Sequence, residues 1–292
     1  MEAIDKIIFG DNQFFGINHM SQEKAQQLME KYSDINSIYC AYEMAFEAGI
    51  RAVMLNSNDR AKDICNFFRS NKSKYQDLCW YPSIPYPHKY AKLVAEKGVL
   101  SAINEILFNS NSVMGVLGMV TKGSIALLNK NAIKMMQMLI DVEMKIYSDL
   151  NIKVIFLQNI ITDLLLGYCI REVFFEYCEY IRKKYKVIPG FITQNLSFLI
   201  EKLNEWEIRE VVICSSFNKI GYLMSPNIEA NIETVKRNNP INYQLVAMST
   251  LASGAISAKD AYSFINQQNI QGVVFGSSDR RHIEETIKLI EI

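Results

Sequence analysis

Two stretches near the end of the chain decide its fold: Gln244-Leu245-Val246-Ala247-Met248-Ser249-Thr250-Leu251-Ala252-Ser253-Gly254 and Gly272-Val273-Val274-Phe275-Gly276-Ser277-Ser278-Asp279-Arg280-Arg281. Each is a short apolar run that stops at hydroxylated residues and glycine, with a helical pattern behind it. A buried parallel strand ends this way when it delivers free backbone N–H groups and a helix N-terminus toward an anion. Two such units in succession at the end of a chain of 292 residues predict the phosphate-holding end of a strand–helix barrel.

Working outward, the same alternation runs through the whole chain. Strands are expected at Lys6–Phe9, Ala52–Leu55, Leu78–Tyr81, Val154–Leu157, Val187–Ile192, Val211–Cys214, Leu245–Met248 and Val273–Phe275. Helical patterns separate them, among them Ile35–Ala48 stopped by Gly49, Asp163–Lys184, and Arg280–Ile290. Asn56 to Asp59 reads as a helix cap, and the proline-rich loop from Pro82 should halt the third strand. Tyr90–Asp149 reads as helix in three segments, with Met114–Val120 as an alternative strand. Eight strands with helical crossovers give an α/β fold, a (β/α)8 TIM barrel forming one domain over residues 1–292. An open doubly wound sheet satisfies the same alternation. No Pro/Gly/Ser-rich linker marks a boundary.

Composition narrows the function. Lysine plus arginine balance aspartate plus glutamate at 31 each, so nothing here would neutralise a nucleic-acid backbone. Leu157–Leu166 is interrupted by Gln158, Asn159, Thr162 and Asp163 and is too short to cross a membrane. The start lacks a signal-peptide apolar segment, and the six cysteines form no Cys-x-x-Cys pair. The expectation is a cytoplasmic protein with free, mostly buried thiols.

In a barrel, the loops after the strand ends build the site. Those positions carry Asp11, Asn12, Gln13 and His19, then Asn56, Asn58 and Asp59, then Tyr81, Tyr86, His88 and Lys89. Gln158 and Asn159 follow strand four, Thr193, Gln194 and Asn195 strand five, and Ser215, Ser216 and Asn218 strand six. Amides and hydroxyls dominate, which suits a hydroxylated or amide-bearing ligand. The three histidines, His19, His88 and His282, do not supply a zinc set, so no metal site is expected. The catalytic candidates are Asp11, His19, His88, Tyr81 and Asn56: a histidine beside a carboxylate is tuned for proton transfer near neutral pH. The alternative for Asp11 is a turn cap. Ser249, Ser253, Gly254, Gly276, Ser277, Ser278 and Arg281 form the candidate phosphate site, with ordinary helix capping by Ser257, Ser278 or Asp279 as the alternative. Arginine in a first helical turn opposes the helix dipole, which favours an anion there.

Several of these segments also resemble the aldo/keto reductase superfamily. Gly10 to Gly16 resembles its opening glycine-rich strand and loop, and Ala45-Phe46-Glu47-Ala48-Gly49-Ile50 its Ala-x-x-x-Gly-Ile. Gly190 to Asn195, carrying Thr193 and Gln194, is similar to its Gly-x-Ser-Asn, and Phe217-Asn218 to its aromatic-Asn pair. Ser249-Thr250-Leu251-Ala252-Ser253-Gly254 is similar to its Ser-Pro-Leu-Ala-x-Gly. Gly276 through Ile283-Glu284-Glu285-Thr286 resembles the segment that grips the phosphate and adenine of NADP. The resemblance implies NADP as cofactor, with Leu251 and Glu285 joining its site. It also implies a tetrad of Asp, Tyr, Lys and His. Here the strand-two end reads Asn56-Ser57-Asn58-Asp59, strand three ends Trp80-Tyr81-Pro82, and strand four ends Leu157-Gln158-Asn159. Without the tetrad's proton donor, ordinary carbonyl reduction is not expected. Two readings remain. One is an enzyme with a different catalytic set, acting on a small phosphorylated, sugar- or nucleotide-like metabolite in carbohydrate metabolism. The other is a non-catalytic nucleotide sensor or assembly subunit.

Overall fold

The ladder between the first and last strands settles the choice between barrel and open sheet. In a computed structural model describing residues 1–15, 22–86 and 130–291, β1 (Ile7–Phe9) pairs in parallel with β8 (Gly272–Phe275) through Ile7↔Val273, Ile8↔Val274 and Phe9↔Phe275. Between them run β2 (Ala52–Asn56), β3 (Cys79–Ile84), β4 (Val154–Leu157), β5 (Ile188–Thr193), β6 (Val211–Ser216) and β7 (Tyr243–Met248). All are parallel, each pairs with its neighbours in sequence, and the barrel is closed. The described helices are α1 (Gln22–Lys31), α2 (Ile35–Glu47), α3 (Ala61–Ser70), α4 (Lys130–Met144), α5 (Asn159–Gly167), α6 (Arg171–Tyr180), α7 (Leu196–Glu205), α8 (Ile228–Arg237), α9 (Ala258–Ile265) and α10 (Arg280–Leu289). The expected segments at Tyr90–Asn129, including Met114–Val120, lie outside the described residues.

Strand alternation splits the apolar residues into two cores. Ile8, Met54, Tyr81, Phe156, Ile192, Cys214, Val246 and Val274 fill the barrel interior. Their sequence neighbours Phe9, Leu55, Ile155, Phe191, Ile213 and Val273 face outward against helix residues such as Ile38, Ile64, Phe174, Leu199 and Ile283. This double burial explains why the strands read as continuous apolar runs. Gly190 belongs to the interior, because a Cβ there would come within 2.5 Å of the Phe156 ring.

Three expectations are corrected. The third strand does not stop at Tyr81 but runs through Pro82 to Ile84. Its ladder to β4 is broken there instead: Trp80 bridges Ile152, and regular pairing resumes only at Ser83↔Phe156. Trp80 N–H donates toward β4, so the missing N–H two residues later, at Pro82, faces the same neighbour. The helix expected over Asp163–Lys184 is two helices, because Cys169 between them adopts φ 53°. A left-handed residue ends a helix. Of the six free cysteines only Cys65, Cys178 and Cys214 are buried; Cys79 is intermediate, and Cys40 and Cys169 are exposed.

Candidate functional site

A parallel barrel places every strand's carboxyl end on one rim. Interior positions of the strands predict which side chains crown that rim: Asn56 above Met54, Ser83 above Tyr81, Gln158 above Phe156, and Ser216 above Cys214. Asn56 and Ser83 are register partners, as are Ser83 and Phe156.

Asp11, just past β1, is the acidic centre of this rim and is almost fully buried. Its Oδ2 accepts the backbone N–H of Asn56 at 2.9 Å and the Asn58 side-chain amide at 3.2 Å, and its Oδ1 accepts Asn56 Nδ2 at 2.6 Å. Burial pushes its carboxyl from 3.8 up to about 6, against the lowering effect of these hydrogen bonds. Asn58 also accepts Arg60 N–H, so the expected cap before α3 exists as a side-chain turn at Asn58. On the far side of Asn56, its Oδ1 accepts a short hydrogen bond from Gln158 Nε2. The result is a chain from Asp11 through Asn56 to Gln158. Ser83 Oγ, completely buried, and the Tyr42 hydroxyl have no hydrogen-bond partner among the described residues. Gln13 Nε2 donates to the carbonyl of Gly10, and its side chain fills the place a Cβ on Gly276 would occupy.

The structure therefore joins Asp11 and Asn56 and separates Tyr81 from them. The Tyr81 hydroxyl donates to Asp5 Oδ2 at 2.6 Å and accepts Asp5 N–H, and Lys153 reaches the same carboxylate at 3.1 Å. Asp5 precedes β1 and Lys153 precedes β4, so Tyr81 is engaged at the amino end of the barrel, opposite the rim. His19 and His88 lie outside the described residues. Gln158 is one of the strand-end positions expected from the sequence; Ser83 and Asp163 are not. Counting by two from the buried Tyr81 would have found Ser83.

The β5, β6 and β7 turns are laced together. Asp163 on α5 accepts a short bond from Thr193 Oγ1 and the N–H of Gln194 at 3.0 Å, while burial raises its carboxyl. The carbonyl of Gln194 accepts Ser225 N–H at 3.0 Å. Asn218 accepts Tyr222 N–H and donates to the Tyr222 carbonyl. Ser249 contacts Ser216 through their hydroxyls at 3.2 Å, and Ser253 contacts the Tyr222 hydroxyl at 3.4 Å. Ser249, Ser253 and Gly254 all adopt positive φ, at 54°, 56° and 92°, and Leu251 accepts the N–H of Gly254. Most of its amides are used within the turn: the N–H groups of Ala252, Ala255 and Ile256 go to the carbonyls of Ser249, Ala252 and Leu251.

The turn after β8 tests the phosphate-bearing cofactor that the resemblance implies. The backbone N–H groups of Gly276, Ser277 and Ser278 have no partner among the described residues. The first turn of α10, by contrast, is capped. The Asp279 carboxylate caps it by accepting the N–H groups of Arg281 and His282, and Ser257 caps α9 in the same way. Arg280, whose place in that turn opposes the helix dipole, is held by a short ion pair to Glu47. Arg281 is 92% exposed, 3.9 Å from Asp279, and Glu285 is exposed one turn further along. The amides left free among the described residues are therefore those of the strand-end turn rather than the capped N–H groups of the helix. Among the described residues no His/Cys/Asp/Glu group could hold a metal ion, and no helix is long and apolar enough to cross a membrane.

No protein-family model matches the chain, and no curated protein matches it. Solved structures do. A Pseudomonas aeruginosa protein assigned as an aldo-keto reductase superposes with a TM-score of 0.61 at 9% identity, covering 99% of this chain and 90% of its own. An aldo/keto reductase from Brucella melitensis gives 0.52 at 10% identity, covering 98% and 89%. A protein assigned as a 2,5-diketo-D-gluconic acid reductase B gives 0.55 at 10% identity, covering 98% and 82%. At such identities the likeness is one of fold. The resemblance seen in the sequence thus extends to the three-dimensional structure: the chain has the barrel fold of the aldo/keto reductases.

Proposed function

We propose that this protein is a barrel enzyme acting on a small phosphorylated, sugar- or nucleotide-like metabolite, with a catalytic set different from that of the aldo/keto reductases. The observation that carries the reading is the group of unpartnered amides at Gly276, Ser277 and Ser278, on the same rim as Asp11, Asn56 and Gln158. The amides and Arg281 would hold a phosphate, and the hydroxyl- and amide-rich mouth would hold the rest of the ligand. NADP is the cofactor these turns would take, through Gly276, Ser277, Ser278, Arg281 and Glu285, with Thr193, Gln194, Ser249, Leu251, Ser253 and Gly254 along the rim; it would supply hydride transfer. Asp11 is the group of the mouth whose proton exchanges near pH 6. Asn56 holds it in place.

A second reading, a non-catalytic nucleotide binder, is favoured by one observation. The positions crowning β2, β3 and β4 are Asn56, Ser83 and Gln158, none of which ionises, and Asp11 already accepts three N–H groups. Thermal-shift titration with NADP(H), NAD(H), nucleotide sugars and sugar phosphates, followed by turnover assays on each binder, separates the two. Arg281→Ala should weaken a phosphate-bearing ligand about tenfold without lowering the melting temperature of the free protein. Unchanged affinity in this variant removes Arg281 from the site. A melting shift with no turnover across the panel selects the binder.

A further inference from the structure

The hydrogen bonds at the mouth have a direction, and the direction has a chemical consequence. An ionised carboxylate only accepts, so Asn56 must turn its Nδ2 toward Asp11. The Asn56 Oδ1 then faces away and must accept, which forces Gln158 to present Nε2 to it. Both amide orientations are fixed by chemistry rather than by choice of atom labels. What is left over is Gln158 Oε1. Gln158 is 7% exposed, and this oxygen has no partner among the described residues. Gln158 also stands at the N-cap of α5 yet makes no side-chain cap there. Glutamine is not among the favoured capping residues, and here its side chain lies at the barrel mouth.

We infer that Gln158 Oε1 is a specificity determinant that accepts a hydrogen bond from a ligand hydroxyl, and that Asp11 is a positioning residue that sets this polarity through Asn56. The inference rests on the reading of the mouth as a metabolite site and names what that site selects: a donor group, as on a sugar or polyol, at the β4 edge. Hydrogen bonds in a chain polarise one another, so the carboxylate at one end strengthens the acceptor at the other. A ligand offering only an acceptor at this point would leave two oxygens facing each other, and a buried mismatch of that kind is rejected more strongly than a missing contact.

The test compares wild type with Gln158→Met and Asp11→Asn. The probes are glucose 6-phosphate and ribose 5-phosphate, analogues in which each hydroxyl in turn is replaced by fluorine, and inorganic phosphate. Fluorine keeps the size but removes the donor. The wild type should prefer a parent compound over one of its fluoro analogues by about tenfold. Gln158→Met should bind parent and analogue alike while keeping wild-type affinity for inorganic phosphate. In Asp11→Asn the amide chain is free to reverse, and the preference should shrink as well. A merely structural role for Gln158 would weaken both ligands equally and leave their ratio unchanged. A full tenfold preference in Gln158→Met overturns the inference while leaving the metabolite site standing. A wild type that binds none of the sugar phosphates overturns both.

Discussion

Replacing Asp11 by asparagine should change how stability depends on pH, and the size of the effect follows from its burial. In the unfolded chain this carboxyl titrates near 3.8; in the barrel it is pushed up to about 6. The folded state therefore holds the Asp11 proton over a pH range in which the unfolded chain has released it. A raised pKa contributes stability that is fully present below 3.8 and is lost as pH rises through about 6. The rise corresponds to about 3 kcal/mol in all, of which about 2.5 kcal/mol falls between pH 4 and pH 7. The nearby Tyr42 and Tyr147 phenols are raised well above their ordinary value by burial and stay protonated across this window, while Asp163, its carboxyl also raised by burial, loses stability with rising pH in the same sense as Asp11. Other carboxyls pull the opposite way: Asp141, Asp260 and Asp279 are lowered by their hydrogen-bond partners and add stability as pH rises. The quantity to measure is therefore a difference. Urea unfolding of wild type and Asp11→Asn at pH 4, 5, 6 and 7 gives wild-type minus variant stability at each pH. That difference should fall by about 2.5 kcal/mol across the series. The variant's own cost, from donors that now face an amide, offsets the curve without giving it a slope. A flat difference would refute the raised carboxyl, because Asp11 would then be ionised in the folded and unfolded chain alike across the whole series.

Two further predictions concern the frame that holds the rim. Gly190→Ala should destabilise the protein by about 1–3 kcal/mol, because its Cβ would press on the Phe156 ring and Val154 inside the barrel. Thermal or urea unfolding reads this directly, and Phe156→Leu in the same chain should recover part of the loss. Tyr81→Phe should cost about 1 kcal/mol by removing the hydrogen bonds to Asp5, yet leave ligand affinity at the mouth unchanged. A matching loss of affinity would show that the amino end of the barrel communicates with the rim.

Much of the architecture was legible because its physics is local and repetitive. Each of the eight strands was found from an apolar run, and the run is apolar because both faces of the strand are buried. Where the reading erred, a single residue carried the reason. Pro82 reads as a stop, but a barrel strand tolerates it where the ladder to β4 is already interrupted. Cys169 carries no signature of a helix break, since cysteine has no preference for the left-handed conformation it adopts. Tyr81 was placed at the wrong end of the barrel because its strand was ended too early. Extending β3 by three residues moves the rim from Tyr81 to Ser83.

The rim's chemistry divides differently. Its composition, amides and hydroxyls in place of ionising groups, is visible in the letters at the strand ends. Its direction is not. Asparagine and glutamine each donate and accept, so a sequence with Asn56 and Gln158 allows either orientation of the chain they form. Only the carboxylate at its end removes the ambiguity, and Asp11 precedes Asn56 by 45 positions and Gln158 by 147. Their contact depends on β1 lying beside β2, and on Gln158 reaching back across Ser83 on β3. The fold thus converts three side chains of unremarkable type into one oriented dipole chain. A mouth built this way can select a ligand by the sense of its hydrogen bonds even though the residues crowning β2, β3 and β4 are neutral.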